Sequence, residues 1–285
     1  MTQASPLARP RRTGLSATRR LALASAVSLG GLAVSSLLVQ QALKLQARVA
    51  RRAIGNPLGE DAHVADRVYK KKYGNRLDLL LLGDSIAAGL GAEKPKHTLG
   101  AQLAKRVAAR TKRAVRLHTA ARVGAETSML RAQLAGLPQG YRAEVAVVIV
   151  GGNDVTHRVR TSTSTQHLAE AVHALHEQGT AVVVGTCPDL GALTAVPQPL
   201  RTLARIASRQ LASAQREVVL ELGGRAVSLA DVVGPFFVTQ PDEMFAIDRF
   251  HPSGSGYRRT AKAMLPSVLA ALGHKDPLPF GHHAP

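Results

Sequence analysis

Cysteine is nearly absent from this chain of 285 residues, in which Cys187 is the only one. A single cysteine cannot close a disulfide bond within the chain or build a cysteine metal site. The fold must therefore rest on its hydrophobic core. Cys187 follows an apolar run, and no Cys-His pairing is visible in the sequence. We therefore interpret it as a small buried hydrophobic residue rather than a reactive thiol.

Aromatic residues are also scarce, because tryptophan is absent and phenylalanine and tyrosine together make up only 3% of the chain. A long carbohydrate-binding groove usually stacks sugars on exposed aromatic rings. The composition therefore argues against a groove of that kind. Hydrophobic residues nevertheless make up 45% of the chain, which is ordinary for a globular domain with a real core.

Acidic residues are few as well: 19 stand against 37 lysines and arginines, which gives a net charge of +18. Nine of the basic residues, but only one acidic residue, lie within residues 1–60. They surround a single apolar stretch, where a membrane explains them better than a nucleic acid does. Neither a zinc-finger spacing nor an aromatic RNA-binding signature accompanies them. We therefore predict no nucleic-acid partner.

The apolar stretch at residues 21–43 contains no charged residue and is long enough to span a bilayer. Five arginines precede it, which favours an N-terminus inside and a chain continuing outside, although Lys44 and Arg48 after it weaken that orientation. Because no small-x-small cleavage site follows, an uncleaved signal anchor is favoured over a cleaved export signal. We predict a membrane-anchored protein with an extracytoplasmic domain, or a secreted one if the signal is cleaved.

Short apolar runs alternate with helical patterns along the rest of the chain. The runs at 79–82, 145–150 and 181–184 suit strands buried on both faces of a parallel sheet. Residues 115–119 and 226–229 are candidates for further strands. Between them, apolar residues recur at helical spacing. This alternation predicts a three-layer α/β domain, which binds ligands beyond the carboxyl ends of its strands.

The predicted organisation has five parts. They are a basic N-terminal segment at 1–20, the membrane span at 21–43, a linker at 44–76, the α/β domain at 77–273 and a Pro- and His-rich tail at 274–285.

The first chemical motif follows the first predicted strand directly and reads Gly83-Asp84-Ser85. A serine on a glycine-flanked turn at a strand's carboxyl end can expose its hydroxyl as a nucleophile. Its own backbone N–H can point into the same space and stabilise a developing oxyanion. On its own the motif is weak evidence, because Gly-Asp-Ser is also a common turn sequence.

The second motif, Gly151-Gly152-Asn153-Asp154, follows the run at 145–150. Two glycines allow a tight turn that closes on a ligand. Asn153 can then offer its amide N–H to an oxyanion, although it can equally cap the following helix. We interpret Asp154 as such a cap.

The third motif is Asp248-Arg249-Phe250-His251-Pro252. A carboxylate and an imidazole three residues apart can meet within one turn of chain. Asp248 can then hold the His251 ring in the tautomer that accepts a proton from serine. Gly124, after the candidate strand at 115–119, can add a backbone N–H to the oxyanion site, and a plain loop glycine fits that position equally well.

In combination, these residues resemble the Ser-Gly-Asn-His (SGNH) hydrolase superfamily, also called GDSL-like lipases and esterases. The four blocks of that family correspond in order to Ser85, Gly124, Asn153 with its flanking residues, and Asp248 with His251. Ile86 stands where the GDSL name has leucine. The basic anchor and the stretch Cys187-Pro188-Asp189-Leu190 are also similar to those of family members from the cell envelope of actinobacteria. The rival α/β-hydrolase fold needs Gly-x-Ser-x-Gly, which does not occur here.

The resemblance implies a flavodoxin-like sheet and hydrolysis of acyl esters through an acyl-enzyme, without metal or cofactor. Ser85, Asp248 and His251 would form the triad, and Ser85, Gly124 and Asn153 the oxyanion hole. A phospholipase, thioesterase or acyltransferase could use the same residues. The alternative from a different functional class is a non-catalytic scaffold protein of the cell envelope that keeps the fold. The oligomeric state is left open.

Other residues near these motifs are interpreted more simply. Five apolar residues cluster before and within the last motif, and we expect core packing there in preference to the wall of an acyl pocket: Phe236, Phe237, Met244, Phe245 and Phe250. The loop 188–199 is a candidate rim of the site. We interpret His157 as a structural or surface histidine.

Overall fold

The computed structural model describes residues 38–285, and the sheet with its covering helices belongs to the unit Gln46–Pro285. At the centre of this unit is a seven-stranded sheet in the order β1-β3-β2-β4-β5-β6-β7. The strands are β1 (Val68–Tyr69), β2 (Leu77–Gly83), β3 (Val115–Thr119), β4 (Val145–Ile149), β5 (Ala181–Gly185), β6 (Arg225–Val227) and β7 (His282–His283).

The five strands β2 to β6 are parallel, and β1 and β7 pair antiparallel at the two edges. Without the edge strands, the order in space is β3-β2-β4-β5-β6. This is the 2-1-3-4-5 order of doubly wound, flavodoxin-like sheets. The predicted parallel α/β sheet is thereby confirmed. In such sheets the winding direction reverses beside the first strand, so the carboxyl ends of β2 and β4 flank the crevice where ligands bind.

The strands β4 and β5, and β2 from Leu79 onwards, consist of uninterrupted apolar residues because both faces of the sheet are covered. Successive side chains of a strand point to opposite faces. Accordingly, Leu79 and Leu81 of β2 belong to one core cluster, and Leu80 and Leu82 belong to another. All four side chains are almost fully buried. A polar residue at any of these positions would lack a partner on either face.

Helices α3 and α11 cover one face of the sheet, and α4, α6 and the end of α7 cover the other. Residues 38–54 form helix α1. The others are α2 (Ser85–Ala88), α3 (Leu99–Thr111), α4 (Leu130–Ala135), α5 (Gly152–His157), α6 (Thr161–Glu177), α7 (Leu200–Glu221), α8 (Leu229–Val232), α9 (Gly234–Thr239), α10 (Pro241–Met244) and α11 (Gly254–Ala271).

The predicted linker 44–76 differs from the structure, which places part of it on the sheet. The short strand β1 pairs with β3, and Tyr69 is buried with its hydroxyl donating to the carbonyl of Ala65 over 2.7 Å. A sheet edge with unpaired backbone groups is stabilised when another segment covers it. The sequence signal for this segment is weak because β1 contributes only two residues.

The predicted tail 274–285 differs in the same way, since β7 pairs with β6 at the opposite edge. His282 Nδ1 lies 2.8 Å from the Ser267 hydroxyl of α11, and His283 Nε2 lies 3.1 Å from the Ser228 hydroxyl. The end of the chain is therefore fastened to the domain by its two adjacent histidines. The Pro- and His-rich composition of 274–285 gives no signal of this pairing.

Most of the predicted membrane span, residues 21–37, lies outside the described residues. Within 38–285, no helix is both long and apolar enough to cross a bilayer. The membrane anchor and the extracytoplasmic location stay predictions.

Gly83 closes β2 in a backbone conformation that requires glycine. Its φ is +130°, and a Cβ atom added there would lie 1.8 Å from the carbonyl oxygen of Ile149 in β4. Both conditions exclude a side chain. The absence of a side chain is therefore what lets the chain turn from β2 directly into Ser85.

We predict that Gly83→Ala lowers the free energy of unfolding by about 3 kcal/mol or more, because it combines backbone strain with a clash against a strand. Gly140→Ala is the matched control. Gly140 has a φ of +72°, but a Cβ there would meet no atom within 4 Å. It should cost only about 1 kcal/mol. Urea denaturation of both variants measures the difference, and equal losses would contradict the steric argument.

Candidate active site

Ser85 and His251 meet beyond the carboxyl end of β2, although 166 positions separate them in sequence. Ser85 is the first residue of α2, and its Oγ lies 3.0 Å from His251 Nε2. The distance is that of a hydrogen bond between a hydroxyl and an imidazole nitrogen. The serine hydroxyl is therefore placed to give its proton to the ring.

Asp248 holds the other side of the His251 ring. Its Oδ2 lies 2.5 Å from His251 Nδ1, and its Oδ1 accepts the backbone N–H groups of Phe250 and His251, each over 3.0 Å. Between them, Arg249 adopts a φ of +54°, in the left-handed region. Such backbone strain in a non-glycine residue occurs where the surrounding structure imposes it, often at functional sites. The turn thus fixes the tautomer and orientation of the imidazole.

The pKa of Asp248 reflects two opposing effects. Burial alone would raise it, but hydrogen bonds from the His251 ring and from the backbone N–H groups of Phe250 and His251 lower it below the ordinary value. The carboxylate is therefore ionised at neutral pH. It can stabilise an imidazolium ion at His251.

Asp84 is a second acid at the site and is almost entirely buried, with 2% of its surface exposed. Its Oδ1 accepts the backbone N–H of Ile86 over 2.9 Å, which caps α2. Burial raises the pKa of Asp84 to about 7, against the lowering effect of backbone hydrogen bonds from Ile86 and Gly152. The Asp84 carboxyl group thus contacts both the turn that contains Ser85 and the turn that contains Asn153, and it keeps the two turns adjacent.

Asn153 lies at the start of α5, after Gly151 makes the turn with a φ of +127°. Its Nδ2 donates to the carbonyl of Ala125 over 2.9 Å. The side chain also lines the same cavity as Ser85 and His251. Since an amide nitrogen carries two hydrogens, one remains for a ligand in that cavity.

Gly124 lies in the loop that Asn153 contacts. It is exposed, has a φ of +77°, and a Cβ there would meet no atom within 4 Å. It is not part of the cavity wall, but the next residue, Ala125, is the one that accepts the Asn153 amide. The loop glycine is therefore held beside the second motif rather than within the cavity.

Asp154 does not cap α5, which corrects the expectation from sequence. The N-cap of α5 is Gly151 without a side-chain hydrogen bond. The carboxylate of Asp154 is buried and instead accepts the backbone N–H of Thr127 over 3.0 Å. His157 pairs with Glu126 at 2.7 Å and is largely exposed, as expected for a structural or surface histidine. Both contacts anchor the loop that contains Gly124 to α5.

Most residues that line the cavity beside Ser85 are apolar. The polar ones are Ser85, His251, Asn153, Asp84, Asp189 and Thr260. Phe237, Phe245 and Phe250 of the predicted aromatic cluster line it, whereas Phe236 and Met244 do not. All five residues nevertheless belong to the hydrophobic core or pack against it, as expected, and three of them also line the cavity. The candidate rim at 188–199 contributes Pro188, Leu190 and Leu193.

The segment after β6 also contributes to the cavity, which we did not predict from the sequence. Leu229 of α8 and Val233, which precedes α9, both line the cavity. The available signal was their position just after the last parallel strand, at the same edge of the sheet as the motifs. Cys187, as expected, is fully buried, and burial raises the pKa of its thiol well above the ordinary value.

Comparison with known proteins gives a consistent family assignment. The GDSL-like lipase/acylhydrolase family matches residues 81–259. The chain is 36% identical over 277 residues to a GDSL-like esterase of Mycobacterium tuberculosis, an alignment that covers 93% of this chain and 87% of that protein.

Solved structures share the fold at lower identity. An α/β hydrolase from the metagenome of Lake Arreo is 19% identical, with a TM-score of 0.55 over 70% of this chain and 98% of that one. A lipase/acylhydrolase from Enterococcus faecalis is 20% identical, with a TM-score of 0.54 over 68% and 96%. An acetyl xylan esterase from Geobacillus stearothermophilus is 18% identical, with a TM-score of 0.54 over 68% and 95%.

The burial of Asp84 predicts a pH-dependent stability. Its pKa is about 7 in the folded protein, against an ordinary value of 3.8. Between these values the unfolded chain binds fewer protons than the folded one, so stability falls as the pH rises. Asp84→Asn removes this loss. Relative to the parent, the variant should gain up to about 1.4 kcal/mol per pH unit across that range.

Urea denaturation of the parent and of Asp84→Asn between about pH 4 and pH 7.5 measures this gain. Asp242→Asn, at an exposed position of α10, controls for the removal of one negative charge. A difference between parent and Asp84→Asn that stays constant with pH would show that Asp84 does not titrate in this range.

Proposed function

Because the chain belongs to the GDSL-like lipase/acylhydrolase family and is an SGNH esterase, we propose that it cleaves carboxylic esters through a Ser85-His251-Asp248 triad and an acyl-enzyme intermediate. The observation that carries the proposal is the unbroken series of hydrogen bonds from the serine hydroxyl to the carboxylate. Its two distances are 3.0 Å at His251 Nε2 and 2.5 Å at His251 Nδ1.

In the first step, Ser85 Oγ attacks the ester carbonyl carbon while its proton moves to His251 Nε2. The carbonyl π bond opens, and its electron pair becomes an oxyanion. The charge that forms on the imidazole lies against ionised Asp248, which is already hydrogen bonded to the ring. Little reorganisation is needed at that moment, because the turn of Asp248 holds the ring in place beforehand.

The oxyanion is proposed to accept hydrogen bonds from the N–H of Ser85 and the Asn153 amide, which line the cavity, and from the N–H of Gly124, whose loop lies outside the cavity wall and would approach it when substrate binds. Ser85 N is at the first position of a helix, where no intrahelical acceptor exists. Asn153 retains one amide hydrogen beyond the bond to Ala125. That same bond draws the loop of Gly124 towards Asn153, so one interaction orients two of the three donors.

Collapse of the tetrahedral intermediate expels the alcohol, which takes the proton from His251 and leaves Ser85 acylated. Water then attacks the acyl carbon and gives its proton to His251 Nε2. The second collapse breaks the bond to Ser85 Oγ, which recovers its proton from the ring as the carboxylic acid leaves. Every proton transfer uses the same ring nitrogen.

The apolar cavity is proposed to hold the acyl chain. Its volume is about 80 Å³, and a single water needs roughly 10–15 Å³ of such space. An acyl chain of a few carbon atoms therefore fits, with its carbonyl at the polar side near Ser85. Longer chains would have to displace Leu193 or leave through the open side.

A non-catalytic scaffold is less well supported. In a scaffold of that kind, we expect a Ser85 that is shut away from ligands or far from His251. Ser85 instead lies on the wall of a cavity, within hydrogen-bond distance of the ring.

Hydrolysis of p-nitrophenyl acetate by the full-length protein tests the triad. Ser85→Ala should lower kcat by about 10⁴-fold or more and abolish fluorophosphonate labelling. Asn153→Ala should keep the nucleophile but lower kcat by about 10²- to 10³-fold, because one oxyanion donor is lost. Ser162→Ala, at an exposed position of α6, is the control and should behave as the parent.

If Ser85→Ala retained the parental rate or labelling, Ser85 would not be the nucleophile. If the parent were inert while folded, the esterase mechanism proposed for these residues would be wrong.

The acyl cavity has its own test. Leu193→Trp places a large ring in the cavity and should lower kcat/KM for p-nitrophenyl hexanoate by about 10-fold or more, with the acetate ester changed by less than about 3-fold. Leu203→Trp is the control, since Leu203 is 45% exposed and not part of the cavity wall. An equal effect of Leu193→Trp on both esters would place the acyl chain elsewhere.

A further inference from the structure

Two buried glutamines lie at the carboxyl edge of the sheet, outside the residues used above. Gln133 on α4 is 2% exposed and Gln215 on α7 is fully buried. A buried amide without partners would be costly, whereas an aliphatic side chain would fill the same space at no such cost. The positions of their hydrogen bonds therefore indicate what the amides do.

Gln133 bonds to both backbone groups of a single residue. Its Oε1 accepts the N–H of Gly83 over 2.9 Å, and its Nε2 donates to the carbonyl of Gly83 over 2.7 Å. The pairing of β2 with β3 ends at Leu81 and Thr119, and beyond it the N–H of Arg122 in the loop after β3 also donates to the carbonyl of Gly83, over 3.1 Å. A carboxamide has the same donor and acceptor as a peptide group. Two residues before Ser85, Gln133 thus gives Gly83 the donor and the acceptor that a longer β3 would offer.

Gln215 bonds to two segments of the chain, one just after β4 and one just after β5, where these strands separate. Its Oε1 accepts the N–H of Cys187 over 2.7 Å, and its Nε2 donates to the carbonyl of Val150 over 3.0 Å. The pairing of β4 with β5 ends at Ile149 and Gly185, just before these groups. The amide therefore lies between these two segments and takes the place of a direct backbone hydrogen bond between them. A Cβ on Gly151 would lie only 3.0 Å from its Nε2.

The two amides flank the two strands that lead into the proposed site. One fixes the end of β2, which continues into Ser85, and the other fixes the end of β4, which continues into Asn153. Nucleophile and oxyanion donor must be held within a fraction of an ångström, and a misplacement of about 1 Å can lower a rate by about 10²-fold. Neither glutamine belongs to the cavity wall.

We propose that Gln133 and Gln215 are positioning residues: by acting as inserted peptide groups at the ends of β2 and β4, Gln133 fixes the position of the Ser85 turn and Gln215 that of the Asn153 turn. This role rests on the proposed function of Ser85 and Asn153. It means that part of the catalytic rate depends on two side chains that never touch the substrate.

Gln133→Leu and Gln215→Leu test the proposal in the full-length protein. Each should lower kcat for p-nitrophenyl acetate by about 30- to 100-fold with KM changed by less than about 3-fold. The second-order rate of fluorophosphonate labelling should fall by a similar factor, because labelling needs the same geometry. A loss of folded protein would also lower the apparent kcat without changing KM, but it would reduce the extent of labelling and leave the labelling rate constant unchanged. A fall in the labelling rate constant therefore distinguishes positioning from a loss of folded protein.

Two control variants distinguish an effect on the geometry of the site from an effect on the stability of the protein. Val172→Ala removes buried volume from α6 and should lower the thermal midpoint while leaving kcat per folded molecule unchanged. Gln166→Leu, at an exposed position of α6, controls for the loss of an amide. If both buried glutamine variants kept kcat within about 3-fold of the parent, or if Val172→Ala lost as much, the positioning role would be wrong.

A conservative variant adds a pH readout. In Gln215→Glu, a protonated carboxyl still offers one donor and one acceptor, whereas the ionised form cannot donate to Val150. The acids that act on neighbouring Cys187 are Asp84, Asp154 and Asp189, and they disfavour another negative charge there. The kcat of the variant relative to the parent should therefore be higher at about pH 5.5 than at about pH 8, or parental at both. Equal impairment at both would contradict the proposal.

The outcomes for the two levels of inference are distinct. A folded parent without turnover or labelling overturns the proposed esterase mechanism and the positioning role with it. An active parent whose glutamine variants are unimpaired overturns only the positioning role.

Discussion

The pairing of β2 with β4 is the contact on which the rest of the site depends. These strands lie side by side in register, with Gly83 opposite Ile149, and the N–H of Asp84 donates to the carbonyl of Ile149 just beyond the ladder. The two chains then diverge into the turns of Ser85 and Asn153. The central strands of a sheet covered on both faces carry apolar side chains, so the polar groups of β2 and β4 that face a ligand lie where these strands end. Chemistry is therefore confined to the edge that this pairing creates.

The third segment of the site comes from outside the sheet and is joined to it by α11. The hydroxyl of Tyr257, on the first turn of α11, donates to the carbonyl of Leu90 over 2.5 Å. The N–H of Gly254 donates to Glu93 over 3.0 Å. Both acceptors lie in the chain that follows the Ser85 helix. The hydrogen bond between His251 and Ser85 is therefore supported by contacts on the same two segments, and the imidazole does not depend on that bond alone for its position.

Two buried acids at the site, Asp248 and Asp84, have pKa values that are shifted in opposite directions. Asp248 receives three hydrogen bonds and stays ionised beside the ring that must accept a proton. Asp84 receives fewer and is almost fully desolvated, so its pKa rises to about 7. Asp84 adjoins Ser85 in the chain and Asp248 holds the His251 ring, and the pKa values of the two carboxyl groups are shifted in opposite directions. The difference follows from their environments, because hydrogen bonding favours the charged form and burial opposes it.

The sequence by itself determined the parallel strands and the residues of the three motifs. Apolar runs such as 145–150 must be buried on both faces, and Asp248 lies close enough to His251 for one turn of chain to join them. Only the tertiary structure decided which distant groups meet. The 3.0 Å contact between Ser85 and His251, the bond of Asp154 to Thr127, the two glutamine bridges and the edge strands β1 and β7 all join segments far apart in the chain. Periodicity reports the neighbours of a residue along one helix or strand. It carries no information on which strand lies beside another or which buried amide completes a ladder, since those depend on how the whole chain packs.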